Sequence, residues 1–123
     1  MHYVLATTVS YWWPVVVRIP DPNVAGAIIE QRLKVLFEPE EQDAAIEQAE
    51  AYAALDTVKA RADHERDQLL RVVKDWDDVV TADKHTVPFT EENFRAALQR
   101  KWFRDGVYRA YSESLNGEAR LGN

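Results

Sequence analysis

The sequence predicts an α+β fold: a small N-terminal antiparallel β-sheet of about three strands, covered by a bundle of three to four helices. Three observations lead there. Residues 1–38 are rich in Val, Ile, Tyr, Trp and Thr and alternate with a period of two. Residues 41–62 are dense in Ala, Glu and Gln, all strong helix formers. Further along, apolar residues recur at helical spacing in the series Leu69, Val72, Val73, Trp76 and Phe94, Ala97, Leu98, Trp102. A sheet with one apolar face needs a cover, and the helices supply it.

The elements follow in order. His2 to Thr8 reads as a first strand, with Ser10 and Tyr11 as a turn. Trp13, Val15, Val17 and Ile19 form the apolar face of a second strand. Pro14 has no N–H to donate, so that strand is an edge there or only beginning. Pro20-Asp21-Pro22-Asn23 is a turn by composition, and Gly26 follows. Ile29 to Glu38 is the third strand, with Ile29, Leu33, Val35 and Phe37 opposed to Glu30, Arg32, Lys34 and Glu38. After Pro39, Glu40 and Glu41 favour a helix N-terminus. Over 41–75 either one long helix or two can be drawn; two are preferred, with a break near Asp63 acting as N-cap. Asp77 to Phe89 is a connecting loop. Thr90 is an N-cap followed by Glu91 and Glu92 in the first turn. Gly106 marks a kink or junction, and Val107, Ala110, Tyr111 and Leu115 form a last short stripe. Asn116-Gly117 stops it.

The chain of 123 residues suits a single domain over 1–117, with a β-region 1–38, a helical region 40–117 and a flexible C-terminal tail over 118–123. A compact chain of this mass exposes about 6,800 Å² and buries about two-thirds of its unfolded surface, enough for a core without metals or staples. Composition sets limits on function. Lys+Arg is 15 and Asp+Glu is 21, a net charge of −6, which argues against nucleic acid or an anionic membrane as partner. There is no cysteine, so disulfides, thiolate metal sites and cysteine nucleophiles are excluded. No run of 18 apolar residues exists, and no signal peptide is read at the N-terminus.

Chemistry-bearing patterns fail in turn. His64 has acidic neighbours, but the second histidine of a His-Glu-x-x-His zinc helix is Gln68. Asp75, Asp77, Asp78 and Asp83 crowd one loop, yet an EF-hand begun at Asp75 would place Val79 and Val80 where oxygen and glycine are needed. Ser10, Ser112 and Ser114 lie in no nucleophile elbow, and four glycines form no phosphate loop. No catalytic residue, metal or cofactor is assigned, and the chain is not read as an enzyme. The four tryptophans are more telling. Trp76 and Trp102 sit on helical stripes and are read first as core. Trp12 and Trp13 are neighbours on a strand and point to opposite faces, which leaves Trp12 as the exposed one. An exposed tryptophan at a sheet edge is a protein-contact anchor.

Three stretches taken together carry a resemblance. The first is Trp13-Pro14-Val15-Val16-Val17-Arg18-Ile19-Pro20 with Arg32-Leu33-Lys34-Val35-Leu36-Phe37. The second is Val72-Val73-Lys74-Asp75-Trp76-Asp77-Asp78-Val79, a polar turn, and Val87-Pro88-Phe89-Thr90-Glu91-Glu92-Asn93-Phe94. The third is Val107-Tyr108-Arg109-Ala110-Tyr111 with the ending Asn116-Gly117-Glu118-Ala119-Arg120-Leu121-Gly122-Asn123. In this order they resemble the small tail assembly chaperones of long-tailed bacteriophages and prophages, over nearly the whole chain. The unit running from Trp-Asp to Val-Pro-Phe-Thr is the most specific part. Relatives usually carry Gly after Trp-Asp and an Asp-Gly turn before Val-Pro-Phe. Asp78 and Asp83-Lys84-His85 stand there instead, so the turn must avoid positive φ or tolerate it at other residues.

The resemblance implies a non-catalytic protein that binds the tape measure protein and the tail tube protein while the tail assembles and then leaves. Self-association is allowed; nucleic acid and membrane are not expected. The implied place is the cytoplasm of the bacterial host, not the mature virion. A very long helical chain with unpartnered apolar stripes would aggregate without such cover. The residues expected to meet a partner are Trp12, Trp102, Phe103 and Tyr111, and their replacement by Ala should weaken binding without unfolding the domain. Two other readings stand beside it: a structural tail or connector protein kept in the virion, and an acidic adaptor or inhibitor of a host protein.

Overall fold

The computed structural model describes residues 1–117. The flexible tail expected over 118–123, and with it the last part of the third resembling stretch, lies outside the described residues. The fold is α+β. Two ten-residue strands, β1 (Tyr11–Pro20) and β2 (Ile28–Phe37), form an antiparallel hairpin in continuous register from Tyr11↔Phe37 to Pro20↔Ile28. Its turn is closed by hydrogen bonds from Asp21 N–H to the Ala27 carbonyl (2.9 Å) and from Asn23 N–H to the Asp21 carboxylate (2.9 Å), with Gly26 at φ 78°. Helices α1 (Gln42–Ala53) and α2 (Val58–Val72) follow. The chain then re-enters the sheet as β3 (Val73–Asp77), antiparallel to β2, giving the order β1-β2-β3. Helices α3 (Glu91–Ala97) and α4 (Lys101–Leu115) complete the described chain.

The sheet has three strands, but not the three expected. Residues 1–10 form no strand and are exposed throughout; Tyr11, expected in a turn, begins β1. Pro14 does sit on an edge strand. α4 lies against β1 so closely that a Cβ on Gly106 would sit 2.8 Å from the Val16 carbonyl oxygen, and Arg109 donates to that oxygen at 3.5 Å. Gly106 is therefore a buried contact point inside a continuous helix, and not the expected kink.

The third strand comes from a segment whose spacing reads as helix. Val73 and Trp76 are three residues apart and both belong to the core. In β3 this is possible because the register slips between Leu36 and Phe37: Leu36 faces Asp75, Phe37 faces Val73, and Lys74 is the extra residue. A bulge thus converts an i, i+3 spacing into one face of a strand. The helical region does contain two helices over 41–75, but the break lies at 54–57. Thr57, not Asp63, is the cap, its hydroxyl accepting from Ala60 N–H at 3.1 Å. Thr90 caps α3 as expected, accepting from Asn93 N–H at 3.0 Å. At the end of α4, Asn116 is the C-cap and Gly117 takes φ 71°.

The core sits between the sheet and the C-terminal helices. Val15, Val35, Phe37, Leu69, Val72, Phe94 and Val107 are fully enclosed. Aromatic rings knit the parts together: Phe37 meets Tyr111 at 5.2 Å, and Trp76 meets Phe89 at 5.3 Å, Phe94 at 6.1 Å and Phe103 at 6.3 Å. By contrast α1 buries none of its residues. The accessible surface, 8864 Å², exceeds the ~6,800 Å² of a compact chain of this mass; residues 1–10 and α1 account for part of the surplus.

Candidate functional site: a groove beside Trp102

The Trp-Asp to Val-Pro-Phe-Thr unit folds as one local piece. The Trp76 indole N–H donates to the Val87 carbonyl at 2.9 Å, and Phe89 packs edge-on against its ring. Between them the chain turns back through the bridge Val80↔Thr86. The Thr81 hydroxyl accepts from His85 N–H at 3.1 Å and donates to Asp83 at 3.0 Å. Asp78 and Lys84 both adopt φ 67°, the left-handed region that favours glycine. The aspartates of this loop hold the turn together and converge on no common point. Among the described residues no group of three or more His, Asp or Glu is placed to hold a metal ion.

This turn forms one wall of a groove of about 680 Å³. Its floor is apolar, made by Val17, Ile19 and Leu33 at the turn end of the β1–β2 hairpin, together with Val79 and Phe103. The α3–α4 junction supplies the other wall, with Trp102 on it. Arg32, Lys84 and Arg100 stand on the rim with one carboxylate, Asp78. Arg32 is paired with Glu30 at 3.5 Å, and Asp78 with Lys34 at 3.9 Å. The Arg100 guanidinium lies 6.0 Å from the Trp102 ring centre.

The four residues expected to meet a partner do not share a surface. Trp12 is 47% exposed on the outer face of β1, and Trp102 is 40% exposed in the first turn of α4, where the helical stripe alone suggested core. The Tyr11 hydroxyl meets Ser114 at 2.8 Å, while Trp102 and Arg18 line one cleft, so α4 runs antiparallel to β1. Trp12 and Trp102 therefore lie at opposite ends of that strand, roughly 20 Å apart by strand rise. Phe103 packs inward against Trp76 and Phe94 and shows the groove only the part of its side chain that lines the floor. Tyr111 moves from the surface to the core: it is 6% exposed, packs at a tilt against Phe37, and its hydroxyl accepts from Glu40 N–H at 3.3 Å. Its removal would act on folding, contrary to the expectation from sequence.

Arg32, Lys84 and Arg100 carried no signal as individual residues, because a lone charged residue on a polar face is ordinary. One available signal was where the charge lies along the chain. Residues 38–56 contain seven carboxylates and no Lys or Arg, whereas the remainder sets 15 Lys and Arg against 14 carboxylates. The acidity of the whole chain is thus concentrated in a stretch that does not line the groove.

A second polar cluster is structural. Glu40 accepts from Gln68 and Arg71, each at 3.4 Å, and the Tyr108 hydroxyl donates to the Glu65 carbonyl at 3.0 Å. Burial raises the phenol pKa values of Tyr108 and Tyr111 above the usual range, so both hydroxyls stay protonated. Among the described residues, no helix is long and apolar enough to cross a membrane. Comparison of the chain with family models, with curated proteins and with solved structures finds no match.

Proposed function

We propose that this protein is a tail assembly chaperone of a long-tailed phage or prophage, acting by transient protein contact and without catalysis. The observation that carries the reading is the open groove beside Trp102, where Trp102 and Val80 are exposed and Ile19 and Val79 are only partly covered. Apolar surface of this kind is what a binder of unpartnered apolar stripes requires. The turn supports the resemblance independently: Asp78 and Lys84, where glycine is usual in that family, are the two described non-glycine residues with positive φ.

On this reading the partners are the tape measure protein and the tail tube protein, the place of action is the host cytoplasm, and the protein is absent from the finished virion. Co-expression with the tape measure protein encoded nearby, followed by pull-down and a solubility assay, tests it. Soluble tape measure protein that co-purifies with this chain is the expected result. Absence of both binding and rescue would sink the reading and move the structural and adaptor alternatives ahead. Recovery of the protein in purified particles would favour the structural one.

A further inference from the structure

The groove beside Trp102 has a charge opposite to that of the whole chain. Lys84 and Arg100 on its rim have no carboxylate partner among the described residues. Across Trp102, a smaller cleft of about 220 Å³ sets Arg18, Lys101 and Arg109 against Asp105. Arg18 and Arg32 are paired with Glu30 and Lys101 with Asp105, so the positive charge left uncompensated at the groove is that of Lys84 and Arg100, on either side of the exposed indole. A ligand seated there places apolar side chains on Ile19, Val79, Val80 and Trp102 and meets positive charge at both margins, from Lys84 and Arg100.

We infer that this groove docks an acidic amphipathic segment of a partner protein, with bulky apolar side chains on the floor and Asp or Glu reaching Lys84 and Arg100. The inference rests on the chaperone reading only in taking the partner to be a protein. Charge complementarity selects acid over base. The aliphatic floor selects a protein segment over single-stranded nucleic acid, whose bases call for aromatic platforms. A second copy of this chain is the poorer fit. Its acidic helix α1 has Ile46 as its one large aliphatic residue, and Tyr52 is already engaged by Glu65 at 3.0 Å and by His64 at 5.7 Å.

The test uses the full chain and a fluorescein-labelled amphipathic peptide with Leu on one face flanked by Glu. A counterpart with Lys for Glu and a single-stranded oligonucleotide serve as comparisons. Anisotropy titrations are run at low and high salt, with circular dichroism to verify that variants fold. The expected result is binding of the Glu peptide at least about tenfold tighter than the Lys peptide, weakened by salt. The double variant Lys84→Glu/Arg100→Glu should remove that preference, and the intrinsic tryptophan fluorescence should change on binding to the unsubstituted chain and not to Trp102→Phe. Equal affinity for the two peptides, indifference to the double variant, or displacement of the peptide by the oligonucleotide overturns the inference. So does sedimentation showing a dimer that this variant turns into monomer.

The same variant separates the two readings. If it pulls down tape measure protein as well as the unsubstituted chain does, the groove is not the docking site and the chaperone reading survives. If the peptides discriminate as expected but no tape measure protein is captured, the groove stands and the chaperone reading fails.

Discussion

The two ends of this molecule are held together by different physics. In the sheet and its cover, β1 and β2 meet α3 and α4 through side chains with no solvent exposure, such as Val15, Val35, Phe94 and Val107, and β3 adds the nearly enclosed Val73 and Trp76. In α1 and the first part of α2, nothing on α1 is buried, and Val58 at the start of α2 is 81% exposed. The first region is specified by burial and close packing. The second rests on helix propensity, on the Thr57 cap, and on polar ties such as Arg61 to the Leu55 carbonyl at 3.0 Å. A helix as short as α1 is marginal alone in water. The comparison teaches that one short chain can hold a cooperative core and an arm of low local stability.

The sharpest way to break this contrast is a pair of truncations. Phe37→Ala should cost about 3–5 kcal/mol, and Ile46→Ala in α1 less than ~1 kcal/mol, read from urea unfolding. Comparable losses would mean that α1 packs as the core does. Gly106→Ala comes next, with about 1–3 kcal/mol lost despite the better helix propensity of alanine, because the added Cβ meets backbone at Val16. An unchanged midpoint would show that α4 stands farther from β1. The two caps then sharpen the comparison. Thr90→Ala and Thr57→Ala each remove a cap worth about 1 kcal/mol. Hydrogen exchange should show the first as a global loss and the second as faster opening confined to α1 and the start of α2.

Smaller effects follow. Lys84→Gly relieves a positive φ and should raise stability by roughly 0.5–1 kcal/mol. A destabilised variant would argue against the left-handed turn. The last concerns the join between the two regions, where the Tyr108 hydroxyl on α4 meets the Glu65 carbonyl on α2. Tyr108 and Tyr111 have phenol pKa values raised in the folded state, chiefly by burial. Their contribution is complete below the unfolded value near 10 and is lost as pH rises above it. The urea midpoint should therefore fall above pH 10, and Tyr108→Phe should flatten that fall.

Much of this fold is legible along the chain, and the failures share a cause. The β1 and β2 alternation, the Thr90 cap, the Asn116-Gly117 stop and the division of 41–75 into two helices all depend on residues within a few positions of one another. The misplaced third strand does not. His2 to Thr8 has the composition of a strand but no ladder to join, and Val73–Asp77 has helical spacing but meets the open side of β2. Strand identity depends on a partner distant in sequence. The site divides in the same way. Exposure of Trp12 follows from alternation alone, whereas Trp102, Tyr111 and Gly106 depend on which face of α4 the sheet covers.

The sequence by itself determined the α+β class, the apolar faces of the hairpin, the Thr90 cap and the concentration of acid between residues 38 and 56, because propensity, period and charge are local quantities. The tertiary structure alone decided the rest. A bulge at Lys74 brought Val73 and Trp76 onto one face, the backbone contact at Val16 assigned Gly106 its role, and the crossing of α4 over β1 sent Tyr111 inward and left Trp102 at a groove. Each is a contact between residues far apart in the chain, fixed only when their surfaces compete for the same space.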